Sequence, residues 1–180
     1  MADGYRGLFG AFPYAFRRSD SWTFRSYVVL GGLAAGLVSL FVAIGLVVLI
    51  ANTARIGGGS LTLSRSFYVV VGLFLVAPML APVLLVARRH RRRQGDAGGQ
   101  RRYDALLAVT GYLFVVSVYV GVVISMPESW TLDGELVRRP PPSGAFAPVV
   151  AFLYDLPRLA AVVPPAAVAA LIVAVHRRLR

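Results

Sequence analysis

The sequence predicts an all-α polytopic membrane protein. It reads as a bundle of four transmembrane helices with both termini inside and an extra interfacial or re-entrant helix before the last span. Three observations predict this. The 180 residues are 57% hydrophobic and only 15% charged, with a mean hydropathy of +0.69, whereas soluble chains carry roughly 45–50% apolar and about 25% charged residues. Four apolar blocks reach the roughly 18–20 residues needed to cross a hydrocarbon core of about 30 Å. The segments between those blocks alternate between rich and poor in arginine.

The first 26 residues form an arm. On a helical wheel Tyr5, Leu8, Phe9, Phe12 and Phe16 share one side, with Arg6 and Arg17 together on another. That layout suits an interfacial anchor lying in the membrane plane, which Pro13 and three glycines interrupt. Asp20 or Ser21 is placed to cap the first span, and Trp22, Phe24 and Tyr27 supply its aromatic belt. Residues 27–180 are expected to form one membrane domain, with spans at about 27–51, 67–87, 104–126 and 157–176. The first is too long for the roughly 7–15-residue core of a cleaved signal peptide and should persist. The second carries Pro78 and Pro82, which leave the carbonyls of Phe74 and Pro78 without their helical amide. Such kinks usually serve packing, and more rarely present carbonyls to a cation or polar substrate. The third opens at Asp104, in position to cap the positive end of its helix.

The fourth block, 145–175, is too long for one straight span and contains Asp155, Pro157, Arg158, Pro164 and Pro165. Counting about 20 residues back from His176 puts its outer boundary near Leu156. Asp155 and Arg158 then fall at the interface, and 145–154 becomes the extra helix inside an outer loop of 127–156. Placing the pair within the bilayer instead would cost a few kcal/mol.

Arginine supplies all 19 positive charges, and its counts in the arm, the three loops and the tail run 4, 2, 7, 2 and 3. Because basic residues resist translocation, the richest loop, 88–103, and both termini should be cytoplasmic, in a multi-pass protein of the cell membrane. The third loop sets Arg138 and Arg139 against Glu128, Asp133 and Glu135.

The absence of lysine removes Walker-type phosphate loops, Schiff-base enzymes and Ser-Lys hydrolases, and the absence of cysteine removes disulfides and thiolate chemistry. His90 and His176 sit among arginines with no acid at ligand spacing. No catalytic, cofactor or metal residue is therefore expected, and no enzyme. Arg88, Arg89, Arg91, Arg92, Arg93, Arg101 and Arg102 match the basic clusters that contact anionic lipid headgroups, although topology alone accounts for such a run. Nucleic acid is not expected, for the cluster lacks interleaved aromatics. Asp155 and Arg158 read either as a gate or headgroup clamp, or as a neutralised interfacial pair marking where a helix begins. Gly32 and Gly36 in span one, and Ser117, Gly121 and Ser125 in span three, form small-residue stripes that let helices approach within one subunit or between two.

The arm from Gly7 to Arg18 and the Val86-Ala87-Arg88-Arg89-His90 exit from span two sit in an arginine-, alanine- and valine-rich chain typical of a high-GC prokaryotic genome. Over this first half the chain resembles small uncharacterised multi-span membrane proteins of halophilic archaea. That resemblance carries no activity and no functional residues. Two classes of function remain. One is a non-enzymatic structural or partner-organising module, engaging anionic lipid and a second copy or another membrane protein. The other is a small oligomeric transporter or channel component. A permeation route normally needs polar or ionisable groups within the membrane. Spans one to three offer Ser39, Thr110, Tyr112, Ser117, Tyr119 and Ser125 for that purpose.

Overall fold

A computed structural model describes residues 7–54, 59–92, 97–132 and 134–179. Its elements, in chain order, are α1 (Gly7–Arg18), α2 (Trp22–Thr53), α3 (Gly59–Arg92), α4 (Ala97–Ser125), strands β1 (Ser129–Leu132) and β2 (Glu135–Arg138), and α5 (Ala147–Asp155). A 3₁₀ turn (Arg158–Val162) then runs into α6 (Val163–Leu179). Four helical stretches are long and apolar enough to cross a membrane: Trp22–Thr53, Leu63–Arg92, Gly99–Ser125 and Arg158–Leu179. These are the four spans expected, but each helix outruns its apolar block. Hydropathy marks only the part of a helix that suits hydrocarbon. The helix itself continues through polar flanks such as Arg88–Arg92 and Gln100–Tyr103 until its backbone hydrogen bonds are interrupted.

Ser21 takes the capping role at α2, its hydroxyl accepting from the Phe24 amide at 3.3 Å, while Asp20 is exposed. Pro164 and Pro165 sit in the first turn of α6, where the amides they lack would have had no helical partner. Leu156 and Pro157 are both extended, which separates α5 from the 3₁₀ turn, as expected for a residue preceding proline.

Helix α4 is the centre of the bundle, packing on α2, α3, the 3₁₀ turn and α6. The most apolar part of α4 is 44% buried, against 6% for α2 and for the last span. One aromatic fastens three helices here. The Tyr27 ring lies on Gly111, where an added Cβ would come within 2.6 Å of its Oη. Its hydroxyl donates to the Met79 carbonyl at 2.6 Å, in the turn that precedes Pro82. Tyr112 meets the same ring edge-on at 5.1 Å and donates to Ser26 Oγ at 2.9 Å. A carbonyl near a proline of α3 is thus taken by a neighbouring hydroxyl.

The arm is helical despite Pro13. Ala11 and Ala15 are fully buried, and α1 packs on α3 and α2. Phe12 lies on Gly32 of α2, where a Cβ would come within 2.9 Å of the ring. Leu8, Phe9 and Phe16 remain exposed. Toward the opposite end, Val42 lies on Gly72, and Arg65 of α3 donates to Thr53 Oγ1 of α2 at 2.7 Å.

Among the described residues, the loop after α4 adds the one feature outside an all-α reading. Strands β1 and β2 pair antiparallel, from Ser129↔Arg138 to Leu132↔Glu135. Gly134 has φ +86°, a conformation glycine adopts without a Cβ penalty. The Asp-Gly pair at 133–134 between short Trp-, Thr- and Val-containing runs is a two-residue hairpin signal.

Candidate functional site

The ends of α3, α4 and α6 and the corner between α1 and α2 converge at one end of the bundle. Asp104 is the focus. Because α4 begins at Ala97, Asp104 lies two turns inside the helix and is fully buried, so it does not cap the helix as the sequence suggested. Its Oδ2 accepts from Ser19 Oγ at 2.6 Å, and Ser19 Oγ itself accepts from the Ser21 amide at 3.2 Å. The same Oδ2 lies 2.8 Å from His90 Nε2 on the last turn of α3. The pair is close to solvent-free, its side chains 8% and 1% exposed. Asp104 Oδ1 is buried with no hydrogen-bond partner. Arg25 Nε closes the corner by donating to the Ser19 carbonyl at 2.8 Å.

A second set of contacts lies beside it. Arg89 donates to the Leu179 carbonyl at 2.6 Å and stacks with its guanidinium carbon 4.0 Å from the centre of the Tyr103 ring. The Tyr103 hydroxyl is 2.7 Å from His176 Nδ1 on the last turn of α6. Tyr103 is buried and precedes Asp104, so consecutive residues of α4 send one side chain to α6 and the next to α3 and the α1–α2 corner. Arg89 also satisfies a carbonyl of the last α6 turn, where a cation is favoured by the helix dipole.

The seven arginines of the basic cluster divide accordingly. Arg89 is drawn into the protein. Arg88, Arg91, Arg92, Arg101 and Arg102 are exposed, and Arg93 lies outside the described residues. The exposed ones share this end with Arg17, Arg18, Arg177 and Arg178, which are also exposed. The small-residue stripes divide too. Gly32 receives Phe12 and Ser117 is buried. At Gly121 an added Cβ would meet the Ala161 carbonyl oxygen at 2.6 Å, so the 3₁₀ turn sits directly on α4 there. Gly36 faces open space and Ser125 is exposed. Asp155 and Arg158 are both exposed, with no hydrogen bond or ion pair between them. Arg139 stacks on Tyr154 at 3.9 Å nearby.

Sequence reasoning named Asp104, His90 and His176 but joined none of them, and it missed Ser19 and Tyr103. The available signal was Asp104 itself, the lone acid between the Arg101-Arg102 pair and the apolar body of a span. An acid buried two turns inside a helix needs a partner from another helix. In chemical terms the cluster ties helices together. Ser19 donates to the carboxylate and not to His90.

Fold and site together describe a multi-pass helical membrane bundle with a buried polar knot beneath an arginine-rich rim. The chain belongs to the family described as Domain of unknown function (DUF8056), which it matches over residues 1–180. No match was found among curated proteins or among solved structures.

Proposed function

We propose that this protein is a non-enzymatic, partner-organising module of the cell membrane. The arginine-rich end and both termini are cytoplasmic, and the exposed arginines there rest on anionic headgroups. The observation that carries this reading lies in the spans. Thr110, Ser117 and Ser125 each donate to a carbonyl of their own helix, at 2.7–2.9 Å to Leu107, Phe114 and Val122. Tyr27 and Tyr112 bond within the bundle. These hydroxyls direct their protons inside the bundle, and Ser39 and Tyr119 lie exposed on its surface, a distribution that supports helix packing over a polar path through the spans. Long apolar faces of α2 and the last span are left for lipid or another membrane protein, including a second copy of this chain.

Two measurements test it. The purified protein in proteoliposomes should pass no ion or small solute above protein-free vesicles under an imposed potential, while crosslinking in native membranes should capture a defined partner or a dimer. A protein-dependent flux lost on Ser117→Ala would replace this reading with the transporter one. Orientation is open to single-cysteine labelling, because the chain has no cysteine of its own. A cysteine at Gln94 should be shielded from an impermeant maleimide in intact cells, and one at Ser143 should react.

A further inference from the structure

Between α3, α4 and the last span, in the half of the bundle nearer the hairpin, lies a lateral groove of about 480 Å³. That volume falls in the roughly 300–1,000 Å³ range of ligand pockets. Phe67 and Phe74 of α3 form one wall, and Pro165 and Ala166 of α6 the other. Val118 and Val122 of α4 lie between them. The lining is apolar apart from Ser125, whose hydroxyl already donates to the Val122 carbonyl. An occupant with polar groups inside would find no partner for them, so the groove suits hydrocarbon.

Its depth narrows the choice further. On α4 the groove runs from Ser125, the last residue of the helix, to Phe114. At 1.5 Å per residue that is about 16 Å, close to half of a hydrocarbon core of roughly 30 Å. A membrane-crossing helix of a partner would lie along the full height, whereas one lipid chain occupies one leaflet. The groove has a basic residue close by in the chain. Ala161 and Val162 line it, and Arg158 stands one 3₁₀ turn before Ala161, on the same edge of that turn and toward the interface. Arg158 is exposed and makes no hydrogen bond or ion pair among the described residues. The nearest acid in sequence, Asp155, lines a separate recess with Arg139 and Tyr154.

We propose that this groove binds one hydrocarbon chain of a phospholipid from the hairpin-side leaflet, with its anionic headgroup held at Arg158. The test is native mass spectrometry of the full chain released from nanodiscs of equimolar phosphatidylglycerol and phosphatidylcholine. The wild type should retain one phospholipid per chain, enriched in phosphatidylglycerol. Ala166→Phe fills the groove and should abolish retention. Arg158→Gln should keep the lipid but lower the preference for phosphatidylglycerol about fivefold, the ratio one basic residue near an anionic surface supplies. Should Ala166→Phe not fold, judged by helical circular dichroism, Val122→Phe fills the groove from α4 instead. Absence of any retained lipid, or retention unchanged by groove filling, overturns the proposal. So does a dimer that groove filling converts to monomer, because a second copy would then be the occupant. Equal retention of both lipids by the wild type overturns the assignment of Arg158.

Discussion

The two ends of the bundle are held by different physics. At the arginine-rich end, directed bonds join five of the helices: Ser19, His90 and Asp104 link the α1–α2 corner, α3 and α4, while Arg89, Tyr103 and His176 bring in α6. Toward the hairpin, apart from the bond from Arg65 to Thr53, contact comes from missing side chains, as at Gly72 under Val42 and Gly121 under Ala161, and part of the interface opens into the groove. Hydrocarbon exerts no hydrophobic force between helices, so backbone approach and hydrogen bonds must set the fold. Directed bonds tolerate loss of a partner poorly, because a buried polar group is left behind. Glycine contacts fail instead by crowding, and a glycine with no neighbour should be replaceable.

Substitutions at the two ends can break or sharpen that contrast, with stability read as unfolding of the detergent-solubilised protein. Asp104→Leu should have the largest effect, about 3–5 kcal/mol, the cost of breaking a buried pair from one side. A double change with His90→Leu should recover part of it, and additive losses would show that the two residues are not coupled. Gly111→Val should follow at about 1–3 kcal/mol by driving into the Tyr27 ring. Tyr27→Phe removes only the bond to the Met79 carbonyl and should cost about 0.6 kcal/mol, the mean for interhelical hydrogen bonds in membranes. Gly36→Ala should change stability by less than about 0.5 kcal/mol, as for a position without specific contacts. A large loss there would mean that Gly36 packs against another copy, and would place a dimer contact on α2.

Much of this was legible from residues alone. Apolar run length located the four spans, Ser21 was among the caps expected, and Pro157 forced the break before the last span. The helices' true ends were not legible, because hydropathy is silent about a helix that continues into the headgroup region. That is why Asp104 looked like a cap and is a buried acceptor. The pairing of His90 with Asp104 crosses a loop, and the seat of Tyr27 on Gly111 crosses from one helix to another. Neither leaves a periodic trace in sequence. The stripe at Ser117, Gly121 and Ser125 was visible as spacing, yet its members meet three different surroundings: a buried interface, a backbone carbonyl and the exposed rim of the groove.

The placement of ionisable groups bears on how the molecule answers to voltage. Among the described residues, every arginine, histidine and acid within the four spans lies within about two turns of a span end: Arg25, Arg65, Arg88 to Arg92, Arg101, Arg102, Asp104, Arg158, and His176 to Arg178. A charge carried across the whole membrane would change energy by about 2.3 kcal/mol per 100 mV. Residues clustered near the two surfaces traverse little of that drop. The bundle between them behaves as a dielectric slab, and its conformation should be indifferent to membrane polarisation.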